Sequence, residues 1–212
     1  VAASCSCRLL SHQTLLWHHR LGHPSLPRLR GMHSHLLVYG LPRSLPPLPP
    51  SPAPPCLPCV EGRQRAAPHS SFSSTTAPLQ TLHMDRRIGL VMEVARTSMI
   101  HAAAPRFLWP FAVRYAAHQL NLWPRVSLPE TSPTLRWTGE VGNAPVFRVW
   151  GSRAFVRDTS ADKLSPRAIH YVFLGLVPDA PGWQFYHPTS RRVFPSQDVT
   201  FDEVLLPQVC LR

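Results

Sequence analysis

The sequence predicts an α+β chain, partly disordered, built from a proline-rich segment of metal-binding type, a helix pair and a small C-terminal β-barrel. Three observations predict it. His18 and His23 are followed at Cys56 and Cys59 by a Cys-x-x-Cys pair. Between Arg86 and Pro124, two stretches carry apolar residues at helical spacing. Past Pro145, the runs VFRVW, AFVR, IHYVFLGLV, WQFYH and RRVF are separated by Gly, Pro, Asp and Ser, a spacing that suits a small barrel or meander.

Composition bounds the rest. A chain of 212 residues has room for one large domain or two or three small ones. Hydrophobic residues make up 44%, enough for a core, while 25 prolines work against a continuous one. No run of 18 or more apolar residues occurs, so no membrane span is indicated, and no basic-then-apolar signal sequence is seen. The start at Val1 rather than Met is what a fragment or excised product gives, and a reducing intracellular setting is expected. Five cysteines, two of them in CLPC, suit a metal better than a disulfide framework, with Cys5, Cys7 and Cys210 expected as free thiols. Net charge is +11, which favours a polyanion partner because each phosphate neutralised releases counterions. Lys163 is the one lysine beside a large excess of arginine, a balance that a GC-rich coding sequence also produces.

Residues 1–16 carry no clear period and read as a loose lead-in. From Leu16 to Leu37, the positions of Leu21, Leu26, Leu29 and Met32 allow short helical pieces, which Pro24 and Pro27 limit to a couple of turns. A turn or short bend between His18 and His23 can aim both rings at one point, and CLPC supplies two sulfurs from one tight loop. Two neutral imidazoles and two thiolates make a closed tetrahedral Zn²⁺ site, the usual structural form. The competing reading is ordinary polar histidines and cysteines in a chain with 12 histidines. Nine prolines between Pro42 and Pro58 exclude helix there and favour polyproline II. Ser70 to Thr76 reads as a linker, and Leu79, Leu82 and Met84 as a short strand approaching Asp85. A helix from about Arg87 to Ala104 aligns Ile88, Val91, Ala95, Met99 and Ala102 and stops before Pro105. The next helix has Pro110 in its first turn and is closed by Pro124. In the β region Trp150, Phe155, Phe173, Phe185 and Phe201 are placed to share a core, and His12, His69, His101, His118 and His170 stand alone.

The stretch LLWHHRLGHPS followed by CLPC resembles the zinc-binding segment ahead of the integrase in Pol polyproteins of copia-type retrotransposons. The family's ligand pattern, His-x4-His then Cys-x2-Cys, lands on His18, His23, Cys56 and Cys59, with His19 a competing ligand at a spacing one residue shorter. PLQTLHMD is similar to the entry into the first strand of the family's RNase H-like integrase core, whose first catalytic aspartate falls on Asp85. The two helices resemble the last helices of that core, and FRVWGSRAFVRD through SQDVTFDE resembles the SH3-like module that follows it. The resemblance implies a GAG-pre-integrase-like zinc segment over 17–69 with its Pro-rich part at 42–58, and a linker and first integrase strand over 70–85. It further implies the terminal core helices over 86–124, a linker over 125–145, an SH3-like module over 146–204 and a tail over 205–212. In the related zinc modules, the residues joining the His pair to the Cys pair fold into helices. Here either the site closes over an irregular loop or only the ligands of a degraded metal fold remain.

In the family the helix pair begins immediately after the catalytic glutamate, whereas here Asp85 is joined directly to Arg86. The middle of the core, about a hundred residues and an ordinary domain's worth, is therefore expected to be missing with the second Asp and the Glu. Strand transfer uses two divalent ions held by carboxylates converging from different strands. Asp85 supplies one carboxylate, Glu61 and Glu93 are the nearest others, and Asp158, Asp162, Asp198, Asp202 and Glu203 read as solvated surface of the β module. Catalysis is not expected, and the family's Mg²⁺ or Mn²⁺ is not expected to bind productively. Neither a Gly-rich phosphate loop nor a Gly-x-Ser-x-Gly elbow occurs. The apolar stripe with Trp109, Phe111, Tyr115 and Leu120 is left to fold against the β module, to associate with another chain or to pack poorly. The implied partners are DNA (retroelement ends or host DNA), further copies of the chain or other Pol products, in the nucleus or a cytoplasmic particle and with no membrane. Three readings follow: an integrase-derived fragment without strand-transfer activity, which the absences favour; a zinc-bearing protein that holds nucleic acid or an active integrase; and a non-functional translation product or a gene model that skipped the core.

Overall fold

A computed structural model describes residues 12–42, 56–64, 79–125, 128–157, 168–178 and 180–203, and the side chains of these except at 12 and 79–85. Cys5, Cys7 and Cys210, most of the proline-rich join, the linker at 70–76, and Asp158 and Asp162 lie outside the described residues.

The N-terminal segment folds as α1 (His12–Arg20) and α2 (Leu26–Ser34), joined by a bend in which Gly22 and His23 take φ of 77° and 59°. Pro24 stays in the bend and Pro27 occupies the first turn of α2, where its missing N–H has no intrahelical partner to lose. Helix α1 starts at His12, inside the stretch expected as a loose lead-in. The Cys pair opens α3 (Leu57–Arg63), with Cys56 as its N-cap and Pro58 in its first turn, so helix begins within the region where the prolines were expected to exclude it.

Helix α4 runs from Leu79 to His101. The expected strand at 79–85 is instead its first two turns. A short apolar run is compatible with either period, and Leu79 and Leu82, three positions apart, fit the helical one as well. Helix α5 (Trp109–Leu122) begins with Pro110 and ends before Pro124, as expected. The segment read as a linker over 125–145 contains α6 (Pro133–Thr138), capped by Ser132 Oγ accepting from the Leu135 N–H at 3.2 Å and closed by Gly139 at φ 75°.

The C-terminal strands are β3 (Arg153–Arg157), β4 (Ala168–Leu176), β5 (Trp183–His187), β6 (Arg192–Ser196) and β7 (Val199–Asp202). They form one antiparallel sheet in the order β6-β5-β4-β3-β7. Laid flat, the outer strands of five would lie about 19 Å apart at ~4.8 Å per neighbour. Yet β6 and β7 are joined by Gln197 and Asp198 alone, a link of at most about 11 Å. The sheet must curl until its edges approach, which makes it barrel-like, and Phe201 of β7 packs 5.2 Å from Trp183 and 6.0 Å from Phe185 of β5. Trp150, Phe173 and Phe185 are buried in its core and Phe201 packs against them. Phe155 is the exception. The period-two alternation of β3 turns Ala154 and Val156 inward and leaves Phe155 36% exposed on the outer face.

The helix pair is covered on both sides. Tyr115 of α5 is buried on the barrel: its hydroxyl donates to the Arg148 carbonyl at 2.8 Å and accepts from the Arg148 N–H at 2.9 Å. Toward the N-terminal segment, the Trp123 indole N–H donates to the Leu21 carbonyl and the Gln119 amide to the Arg20 carbonyl, both at 2.8 Å. Helix α3 lies so close to α4 that a Cβ on Gly62 would meet Thr97 Oγ1 at 2.4 Å. Strand β1 (Val38–Tyr39) pairs in parallel with β2 (Gly142–Asn143), and Arg20 forms a bidentate ion pair with Glu203. The apolar stripe therefore folds against the β module, one of the three outcomes expected of it, and against the N-terminal segment as well. Trp109 is the member it leaves out, at 52% exposure.

Tyr115→Phe removes the hydroxyl and strands a backbone N–H and C=O of Arg148. A loss of about 1–3 kcal/mol in unfolding free energy is expected from urea titration with an unchanged m-value. A change within about 0.5 kcal/mol, the range of ordinary surface substitutions, would mean that the contact does not clamp α5 to the barrel.

Candidate metal centre

The side chains of His18, His23, Cys56 and Cys59 converge on one point. His18 lies in the last turn of α1, His23 in the following bend, Cys56 at the N-cap of α3 and Cys59 in its first turn. Both histidines are buried and both cysteines half-buried.

The ring of His18 is oriented by the chain itself. Its Nδ1 lies 2.9 Å from the Pro24 carbonyl. A carbonyl can only accept, so Nδ1 carries the proton and Nε2 presents its lone pair to the cluster. His18 Nε2 stands 3.2 Å from His23 Nδ1 and 3.4 Å from Cys59 Sγ, and His23 Nδ1 stands 3.4 Å from Cys59 Sγ and 3.6 Å from Cys56 Sγ. A tetrahedron with Zn–N of ~2.05 Å and Zn–S of ~2.3 Å has edges of about 3.3 Å between nitrogens and about 3.6 Å between nitrogen and sulfur. These four of the six edges agree with the tetrahedral values to within about 0.2 Å, and all four ligand atoms lie within 4.8 Å of one another.

Electrostatics agree with the geometry. Burial, then the neighbouring His18, His101, His19 and Arg63, hold His23 well below the ordinary imidazole pKa, so it stays neutral as a ligand must. The Cys56 thiol is pushed up, first by its hydrogen bond with Cys59 and then by burial. Two half-buried thiols that hydrogen-bond to each other do not both ionise unless a cation lies between them. Arg63 Nη2 donates to the His23 carbonyl at 2.6 Å and to that of Gly22 at 3.4 Å, which ties the end of α3 to the bend.

His19 is outside the group. Its ring faces His101 with centroids 4.1 Å apart. Burial and then His101 lower its pKa to about 2, while burial and then His18 lower that of His101 to about 4. His101, expected to stand alone, is thus packed over the back of the cluster. No spacing in the sequence signals this, because it depends on where the end of α4 crosses α1.

The acidic residues do not gather in the same way. Asp85 lies within α4, its side chain outside those described. Glu61 is exposed on α3, Glu93 half-buried on α4 and Asp198 exposed at the β6–β7 turn. Glu203, expected as solvated surface, is instead half-buried, with its side chain 8% exposed in the Arg20 ion pair and accepting from the Val149 N–H at 2.8 Å. Among the described residues, the His/Cys group is where three or more metal-ligating side chains meet.

Comparison with known proteins agrees with this architecture. Residues 1–64 match the GAG-pre-integrase domain and residues 152–209 the retroviral polymerase SH3-like domain. The chain is 30% identical over 115 residues to the retrovirus-related Pol polyprotein from transposon TNT 1-94 of Nicotiana tabacum, covering 53% of this chain and 9% of that protein. It is 28% and 26% identical, each over 125 residues, to those from transposons RE1 and RE2 of Arabidopsis thaliana, covering 58% of this chain and 8% and 9% of theirs. The resemblance to copia-type Pol polyproteins holds, and the chain spans less than a tenth of the length of these relatives. No solved structure matches it. Among the described residues, no helix is long and apolar enough to cross a membrane.

Two glycines give opposite expectations. At Gly22, φ is 77° and a Cβ would lie 2.6 Å from Gln119 Oε1 and 2.8 Å from Val94 Cγ1, in the bend that carries His23. Gly22→Ala is expected to destabilise by about 1–3 kcal/mol in thermal or urea unfolding. Gly89, on the exposed side of α4 with nothing within 4 Å, is expected to gain up to about 1 kcal/mol as Gly89→Ala. Equal responses at the two positions would contradict the seating of the bend on α4 and α5.

Proposed function

We propose that the chain is an integrase-derived piece of a copia-type Pol polyprotein that binds Zn²⁺ through His18, His23, Cys56 and Cys59 and carries no strand-transfer activity. The observation that supports the metal is the convergence of two imidazole nitrogens and two sulfurs within 4.8 Å of one another, four of the six separations matching the edges of a zinc tetrahedron. A closed four-ligand site leaves no position for substrate, so the metal's role is structural: it ties the α1–α2 bend to the start of α3. Inactivity rests on the sequence. One aspartate, Asp85, joined directly to the helix pair, cannot hold two divalent ions against a phosphodiester, because that takes several carboxylates from separate strands.

A second role is favoured by a specific observation. The net charge is +11, with 22 basic residues against 11 acidic ones, so at least half of the basic charge has no acidic side chain to pair with and stays available to a polyanion. The chain is accordingly read as holding nucleic acid without cutting it, DNA being the natural target for a piece of this polyprotein.

Purified protein is expected to retain about one Zn²⁺ per chain by elemental analysis, and its cobalt-substituted form to give thiolate-to-metal absorption that Cys56→Ser and Cys59→Ser each weaken. Chelation is expected to lower the melting temperature. Metal-free protein with an unchanged melt would refute the zinc assignment. No strand transfer is expected with Mg²⁺ or Mn²⁺, and activity abolished by Asp85→Ala would overturn the claim of inactivity.

A further inference from the structure

Two hollows lined by residues of α2, α4, α5 and α6 share Asn121, Arg125 and Pro133 and so run into one another. The first, about 550 Å³, has an apolar floor with Leu90, Val91 and Leu120 and is rimmed by Arg28, Arg86, Arg87 and Arg125. The second, about 790 Å³, continues past Arg125 to Arg136 and Trp137. Five arginines therefore line one continuous groove, and none of them has an ion-pair partner among the described residues. Arg28 is positioned rather than loose, its guanidinium lying 4.9 Å from the centre of the Trp123 ring.

Trp137 stands out at the far end. It is 91% exposed although it sits in a helix fixed at both ends, by the Ser132 cap and by Gly139. A fully bare indole beside two guanidinium groups offers nothing to the core and a large flat face to a ligand. Arginines spaced along a groove that ends at an exposed aromatic face combine the two elements of single-strand recognition, charge that follows phosphates and a surface on which a base stacks.

We infer that this groove binds single-stranded nucleic acid, with phosphates on Arg28, Arg86, Arg87, Arg125 and Arg136 and an unpaired base stacked on Trp137. The inference rests on the reading that the chain holds nucleic acid and locates where it does so. A duplex meets the arginines equally well but keeps its base faces covered, so Trp137 is what selects the unpaired strand.

The test uses the full chain loaded with zinc and fluorescence anisotropy of labelled mixed-sequence oligonucleotides, as single-stranded DNA, single-stranded RNA and the DNA duplex, over a salt series. Single strands are expected to bind more tightly than the duplex. Trp137→Ala is expected to weaken single-strand binding about tenfold and Trp137→Phe much less, since stacking on an aromatic is worth roughly 1–3 kcal/mol per base. Arg125→Ala and Arg136→Ala are each expected to flatten the dependence of log K on log salt by about 0.7. A preference for RNA over DNA, or the reverse, supports the groove and identifies the sugar it favours. Because both arginines and the indole are on the surface, unchanged melting curves confirm that the variants fold. Binding by all variants at wild-type strength overturns the groove while leaving nucleic-acid binding intact, and a duplex preference overturns the single-strand assignment. No binding of any probe at low salt overturns the broader reading as well.

Discussion

The bend between α1 and α2 is held in place by backbone carbonyls, and the rest of the structure depends on it. Helix α5 reaches it with two side chains, Trp123 to the Leu21 carbonyl and Gln119 to that of Arg20, while Arg63 grips the His23 carbonyl from α3. Each donor removes a carbonyl that the broken helix would otherwise leave unpaired, and the buried cost of an unpaired carbonyl makes the arrangement specific. The same bend presents His23 to the two cysteines, and Arg20 at its edge reaches Glu203 beyond the last strand of the barrel. One turn thus joins the N-terminal segment, the helix pair and the β module.

The His/Cys group draws on two parts of the chain that lie on either side of α2 in sequence. Each half is fixed by packing on α4 and α5. The α1–α2 bend seats Gly22 against Gln119 and Val94, and α3 seats Gly62 against Thr97.

Much of this was legible in the residues. The four clustered side chains, the bounds of α5 and four of the five C-terminal strands come from spacing or period, which are local properties, whereas VFRVW, read as a strand run, forms a short 3-10 turn and irregular chain over 146–150 and β7 was not among the runs read. What the sequence did not disclose depends on crossings between distant elements. His101 packs against His19 because the end of α4 passes over α1, and the Glu203 carboxylate is withdrawn from solvent because Arg20 arrives from the other end of the chain. Phe155 was assigned to the core on its hydrophobicity, but its parity along β3 decides otherwise, since Ala154 and Val156 take the inward positions. The segment at 79–85 failed for a different reason. Too short for its period to be read alone, it follows the helix that continues from it.

The helix pair explains how a short chain can do without a larger sheet. In an integrase core, helices of this kind would bury their apolar faces on strands. Here α5 turns Tyr115 and Ala112 toward the barrel, and Gln119 and Trp123 reach the N-terminal bend. Two small modules thereby supply the contact surface that one domain would have given, and a single apolar cluster runs through all three parts. Such a body has no need of catalysis to persist as a folded unit, and its architecture separates two tasks. Buried polar contacts and the His/Cys group hold the modules together. Arg86 and Arg87 on α4, Arg125 and Arg136 on α6, all exposed, take no part in that joining.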